Sequence, residues 1–324
     1  MIWIEFFICA ALLTFFAYNL CKKGSNISQK THISEGIIGM FFLAVATSFP
    51  EIVTGATAVF SLGRIGLGYG DIVGSIVVNF MILFSLDYLY KKGRILSGIS
   101  DLTRLTGFFV PVVTGVVLVA SMLRALKWAP PALGMVGIES VVIVVVYCMY
   151  LRIVSTRSKG EQESNHDAGG SFWKIWIKFF FLLIIVMLLG VWIAKIGDKI
   201  VSNTGLSQTF TGTLILGAAT SLPEIIVSFA ALKAGSVDMA VANILGSNLF
   251  DICIIPFLDL LSKEPILGML TPGQMLATTL VLVLSGIVIA GIVSKKDRPG
   301  RFSGDTSLIF ALGLIGFVLL YFVK

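Results

Sequence analysis

Two near-identical hexapeptides, Ala46-Thr47-Ser48-Phe49-Pro50-Glu51 and Ala219-Thr220-Ser221-Leu222-Pro223-Glu224, each place a proline and a glutamate deep inside a long apolar stretch. An ionisable side chain at the centre of a membrane helix costs at least ~2.5 kcal/mol, and a proline there removes a backbone hydrogen bond. A chain that accepts both costs twice is using these groups, and an intramembrane acid reads first as part of an ion or substrate pathway. A second pair of segments follows, Gly74-Ser75-Ile76-Val77-Val78-Asn79 and Gly246-Ser247-Asn248-Leu249-Phe250-Asp251. Glu224 lies 173 residues after Glu51 and Asp251 lies 172 after Asn79, so the spacing within each half holds to one residue. Long internal repeats of this kind mark transporters built from two homologous bundles.

The rest of the chain has the composition such an architecture needs. Of its 324 residues, 56% are hydrophobic and 13% are charged, against roughly 25% charged in a soluble domain. That excludes a soluble enzyme and makes the chain polytopic in a lipid bilayer. No nucleotide-binding GxxxxGK[ST] string is present, which argues against a pump driven by ATP on this chain. The four cysteines, Cys9, Cys21, Cys148 and Cys253, lie in or beside apolar spans without CxxC spacing and read as small apolar residues. His32 and His166 fall in loops outside any metal-ligand spacing.

At about 20 apolar residues per crossing, ten spans are predicted: 2–20, 34–60, 71–90, 105–123, 131–152, 172–196, 209–233, 238–261, 272–293 and 304–323. The first lacks a basic leader and a small-residue cleavage site, so it reads as a retained helix. A hydrophilic stretch at 155–171 separates a first five-helix unit, 1–154, from a second, 172–324. The repeated elements occupy about 37–87 and 210–260. Seventeen of the 24 lysines and arginines fall in the loops that follow odd-numbered spans, and seven on the other side. The positive-inside rule then sets both termini outside and the 155–171 linker in the cytoplasm. Because five is odd, the second half enters the membrane upside down relative to the first. The expected fold class is an all-α polytopic membrane protein with ten transmembrane helices in two inverted-topology repeats.

Spacing indicates what the repeats offer chemically. Pro50 and Pro223 leave the carbonyls of Ala46 and Ala219 without a helical donor and loosen those of Thr47 and Thr220, which is tolerated at membrane depth where backbone lines a cavity. Thr47 and Glu51 are i,i+4 neighbours, as are Thr220 and Glu224, Ser75 and Asn79, and Ser247 and Asp251. Gly74 and Gly246 allow helices to approach closely. Three carboxylates, an amide and several hydroxyls and carbonyls are all hard oxygen donors, suited to Ca²⁺ or Na⁺ rather than zinc or copper. Asp71 and Asn243, a repeat pair, read as capping or packing residues, with direct ion contact as the alternative. Glu139 and Asp305 read as helix-end and interhelix partners, and Glu5 as a solvated residue.

The doubled Thr-Ser-x-Pro-Glu, each copy followed by Gly-Ser-x-x-x-Asn/Asp, resembles the α-repeats of the cation/Ca²⁺ exchanger superfamily, and within it the prokaryotic sodium/calcium exchanger branch. That resemblance implies a ten-helix, five-plus-five inverted antiporter of the cell membrane, with no enzymatic activity and no cofactor beyond its transported ions. Glu51 and Glu224 would be the main Ca²⁺ carboxylates, helped by the backbone carbonyls of Thr47 and Thr220. Ser48, Ser221, Ser75 and Ser247 would complete Na⁺ sites, with Asn79 and Asp251 at a central position. Ca²⁺ and Na⁺ would be the partners in a lipid bilayer, without nucleic acid or an obligate protein partner. The sequence departs from the family pattern at Ala46 and Ala219, where a glycine is usual, and at Asp71, where an asparagine is usual. Coupling to H⁺ or K⁺ is the alternative within the class, and a cation channel is the alternative outside it.

Overall fold

The computed structural model describes residues 1–29, 43–90, 93–128, 132–158, 172–294 and 303–323. His32, His166, most of the 155–171 linker and the first part of the predicted span 34–60 lie outside them. The helices are α1 (Ile2–Gln29), α2 (Ala44–Thr47), α3 (Phe49–Ala56), α4 (Ile65–Leu89), α5 (Asp101–Ala125), α6 (Ile138–Ser158), α7 (Phe172–Thr204), α8 (Gln208–Phe210), α9 (Gly217–Thr220), α10 (Leu222–Lys233), α11 (Val237–Ser262), α12 (Pro272–Val293) and α13 (Gly304–Phe322). Wider π-helical turns at Thr57–Ser61 and Thr211–Leu216 complete the two broken spans. A minimal hairpin, β1 (Ala132–Leu133) and β2 (Val136–Gly137), leads into α6. Among the described residues, nine helical segments are long and apolar enough to cross a membrane. This helical solution is what lipid demands, because every backbone donor and acceptor must be satisfied within the chain.

The two most buried spans are α4 and α11, and they pack against each other at the centre. Around them, α12 and α13 pack on α4, while α5 and α6 pack on α11, so each central helix is embraced by the outer helices of the opposite half. The pair runs antiparallel. Ser100, the N-cap of α5 at the end of the connection that follows α4, donates its N–H to Asp238 at the start of α11 at 2.7 Å. At the other end, Ile65 and Thr271 line one cavity. α1 lies along α7, and their apolar faces, including Leu13, Ile193 and Ile196, bury Leu216 and Ala219 of the second broken span.

Two matched aspartates fasten the ends of the central helices. Buried Asp87 accepts from Ile95 N–H at 2.8 Å through Oδ1, and from Ser303 N–H (3.1 Å), Ser303 Oγ (2.5 Å) and Thr306 Oγ1 (2.8 Å) through Oδ2. Asp259, 172 residues later, accepts from Ile266 N–H at 2.8 Å, Gly137 N–H at 3.2 Å and Ser140 Oγ at 2.7 Å. Each thus ties a central helix to the last helix of the other half.

Several span limits differ from those predicted. α4 starts at Ile65 rather than 71, since the glycines of the Gly66–Gly70 run serve helix packing instead of forming a loop. α7 continues past 196 to Thr204 because its charges have partners there: Asp198 pairs with Arg64 at 2.6 Å and Lys199 with Glu5 at 3.0 Å. Glu5, also bound by Trp192 Nε1 at 2.9 Å, is therefore not simply solvated. α6 starts seven residues later than predicted and runs four residues into the 155–171 segment. Glu139 and Asp305 hold to their expected roles, paired with Arg124 and Arg94.

Candidate cation-binding site

Both hexapeptides break a helix at the same place. α2 stops at Thr47, Ser48 turns out of helical geometry with ψ 7°, and α3 restarts at Phe49. α9 likewise stops at Thr220, Ser221 has ψ 0°, and α10 restarts at Leu222. Pro50 and Pro223 sit in the first turn of the restarted helices, where a missing N–H costs nothing. That position also puts Glu51 and Glu224 at a helix N-terminus, whose partial positive charge favours a carboxylate.

The breaks face the central helices across the halves. Thr47 Oγ1 is 3.0 Å from Ser247 Oγ on α11, and Thr220 Oγ1 is 3.1 Å from Ser75 Oγ on α4. Ser48 Oγ donates to Glu224 Oε1 at 3.5 Å, and Ser75 Oγ donates to Glu51 Oε1 at 3.3 Å. Ser221 Oγ donates to the Ser75 carbonyl at 3.5 Å. Close backbone approach makes this possible. A Cβ on Gly74 would fall 2.0 Å from the Thr213 carbonyl oxygen, and one on Gly217 would fall 2.7 Å from Ser75 N.

All ten residues singled out from the sequence, Thr47, Ser48, Glu51, Ser75, Asn79, Thr220, Ser221, Glu224, Ser247 and Asp251, are 0% exposed. Glu51 lies within electrostatic range of Glu224 and Asp251. Hydrogen bonds engage eight of the ten in three groups: Thr47 with Ser247, Ser48 with Glu224, and Glu51, Thr220 and Ser221 around Ser75. Among the described residues, both side-chain polar atoms of Asn79 and of Asp251, and Oε2 of each glutamate, have no hydrogen-bond partner. Buried oxygens without donors are costly, and a cation is the partner that such a set of hard acceptors suits. Among the described residues, no three His, Cys, Asp or Glu side chains cluster closely enough to hold a metal by themselves. Hydroxyl, amide and carbonyl oxygens would therefore complete any shell.

For Asp71 and Asn243 the capping reading does not hold and the packing reading does. Neither caps a helix: both lie six residues inside, Asp71 from Ile65 and Asn243 from Val237. Asp71 is 0% exposed and its Oδ1 accepts from Thr220 Oγ1 at 3.0 Å, while Asn243 Nδ2 donates to Ser228 Oγ at 3.0 Å. The signal was present in the spacing. Asp71, Ser75 and Asn79 are successive i,i+4 positions on one face of α4, as Asn243, Ser247 and Asp251 are on α11.

Comparison with known proteins finds relatives over the whole length of the chain. The putative antiporter CaxA of Alkalimonas amylolytica is 25% identical over 318 residues, covering 96% of this chain and 95% of its own. The solved structure of the sodium-calcium exchanger NCX_Mj matches with a TM-score of 0.60 at 24% identity, over 98% of this chain and 99% of that one. The H⁺/Ca²⁺ exchanger CAX matches with a TM-score of 0.71 at 14% identity, over 99% and 86%. The two structural likenesses are likenesses of fold. The sodium/calcium exchanger protein family matches residues 1–156 and 174–323, which takes in both helix breaks and both central helices, and the chain belongs to that family.

Proposed function

We propose that this multi-pass membrane protein is a secondary antiporter that exchanges cytoplasmic Ca²⁺ for external Na⁺ by alternating access. The observation that carries this reading is the crossed pair of contacts, Thr47 to Ser247 and Thr220 to Ser75, which brings Glu51 and Glu224 into one buried region. Glu51 and Glu224 supply the carboxylates for Ca²⁺, with the Thr47 and Thr220 carbonyls beside them. Ser48, Ser75, Ser221 and Ser247 complete Na⁺ positions, and Asn79 and Asp251 border the centre. Na⁺ and Ca²⁺ share ligands, so each occupant excludes the other, and the exchange needs no resident cofactor.

The antiparallel α4 and α11 and the recurring 172–173 residue offset support two inverted five-helix repeats, 1–154 and 172–324. The 17 to 7 division of lysine and arginine supports a cytoplasmic 155–171 segment and external termini in the cell membrane. CaxA's description as an antiporter and NCX_Mj's as a sodium-calcium exchanger agree with the reading. A proton-coupled exchanger is the second reading, favoured by the fold shared with the H⁺/Ca²⁺ exchanger CAX. Radiolabelled Ca²⁺ uptake into proteoliposomes, with Na⁺, K⁺ or H⁺ gradients imposed singly, separates them. Uptake driven by a Na⁺ gradient alone is the expected result. Uptake driven only by H⁺ would make the second reading the right one, and uptake without any counter-ion would indicate a channel.

A further inference from the structure

The two central helices carry the same three positions with the chemistry reversed. On α4 the order is Asp71, Ser75, Asn79, and on α11 it is Asn243, Ser247, Asp251. Because the helices are antiparallel, reversal in sequence becomes agreement in space. Asp71 and Asp251 are each displaced one turn, about 6 Å, from their serine toward the end where α4 begins and α11 finishes. The amides of Asn79 and Asn243 are displaced the other way. The candidate site thus has an acidic side and an amide side.

The acidic side faces a built approach. A cavity of about 350 Å³ at that end is lined by Gly66, Ser207, Gln208, Thr209, Thr271 and Gln274. On the π-helical turn that follows α8 the hydroxyls of Thr211 and Thr213, and on α4 Oδ2 of Asp71, are buried without hydrogen-bond partners among the described residues. Asp71 Oδ1 is engaged by Thr220, whose hydroxyl also meets Ser75 Oγ, and Ser75 in turn meets Glu51. The Gly70 backbone, next to Asp71, packs on Gly212 and on Thr209, which lines the cavity.

We propose that Asp71 is a further cation-binding residue, one that holds the monovalent counter-cation on the acidic side of the site. Its free Oδ2 is the ligand atom, and its link through Thr220 and Ser75 joins that cation to the Glu51 carboxylate. Asn243 holds the equivalent place in the other half; its Nδ2 donates to Ser228 and its Oδ1, also without a partner among the described residues, is a neutral amide oxygen, so the charged position exists on one side only. The proposal rests on the antiporter reading, and it sets which ion the antiporter prefers rather than whether it exchanges.

The test compares wild type with Asp71→Asn and Asp71→Glu, measuring thermal stabilisation of the purified protein by Na⁺ or Ca²⁺ and the counter-ion dependence of Ca²⁺ uptake in proteoliposomes. Asparagine still accepts the Thr220 hydroxyl, so D71N removes the charge and leaves the hydrogen bond. The expected result is about a tenfold rise in the Na⁺ concentration for half-maximal effect, the order expected for loss of a charged partner. The Ca²⁺ concentration for half-maximal stabilisation should move less than about twofold, and D71E should restore most of the Na⁺ response. Stabilisation of D71N by Ca²⁺ also certifies that it folds; if D71N does not accumulate, Asp71→Ser removes the same charge with a smaller group. Unchanged Na⁺ dependence, or equal shifts for Na⁺ and Ca²⁺, would overturn the proposal. A wild type driven by K⁺ or H⁺ rather than Na⁺ would instead overturn the Na⁺ reading, and the variants are then scored against the ion that does drive uptake.

Discussion

The Thr47 hydroxyl lies 3.0 Å from the Ser247 hydroxyl, which joins a helix break in the first half to a continuous helix of the second. Both groups are fully buried, so neither recovers a water partner when the other is removed. Thr47→Val and Ser247→Ala should each cost roughly 1 kcal/mol of stability. The double variant should cost less than their sum by about 0.5 kcal/mol or more. A double-mutant cycle by chemical or thermal unfolding checks this, and strict additivity would mean that the contact carries no energy.

Glutamine at either glutamate keeps side-chain volume and an oxygen for Ser75 or Ser48 while removing the charge. Glu51→Gln and Glu224→Gln should therefore each abolish Ca²⁺ uptake and shift the melting temperature by only a few degrees. Near-normal uptake by either correctly inserted variant would contradict a shared Ca²⁺ position.

Gly74 and Gly286 sit in helix interiors with opposite surroundings. A Cβ on Gly74 meets the Thr213 carbonyl at 2.0 Å, whereas one on Gly286 meets nothing within 4 Å. Gly74→Ala must push α4 away from the segment bearing Thr220, at a cost of about 3 kcal/mol or more, and exchange should fall with it. Gly286→Ala should be neutral or stabilising by up to about 1 kcal/mol. Parallel melting curves in detergent decide the comparison, and equal effects would refute the close contact.

Arg157 and Asn203, exposed near the ends of α6 and α7, report orientation. In a background without Cys9, Cys21, Cys148 and Cys253, Arg157→Cys should react with an impermeant maleimide only when the cytoplasmic face is opened. Asn203→Cys should react in intact cells. The reverse pattern would invert the proposed topology.

How much of this was legible in the sequence depended on which force set each feature. The breaks at Ser48 and Ser221 were visible because proline enforces them locally, whatever surrounds it. α12 was predicted at 272–293 and spans Pro272–Val293, since a Thr271 cap box and Pro272 mark its start without help from other elements. The start of α4 was hidden because Gly66, Gly68 and Gly70 look like a loop until Gln208, Gly55 and Gly212 are brought against them. That misplacement put Asp71 at a helix start, where capping or packing was the first reading for it. The last turns of α7 were hidden for a related reason: Lys199 and Asp198 look like a solvated end, and only the fold supplies Glu5 and Arg64.

Asp87 and Asp259 each find the donors to Oδ2 in the opposite half, at Ser303 and Thr306 for one and at Gly137 and Ser140 for the other. Neither half is therefore a self-sufficient module. A fragment ending before residue 155 would keep Asp87 at the lip of an apolar bundle with its Oδ2 donors gone, and the complementary fragment would do the same with Asp259. Expressed separately, the fragments should be degraded; expressed together, they should rescue one another.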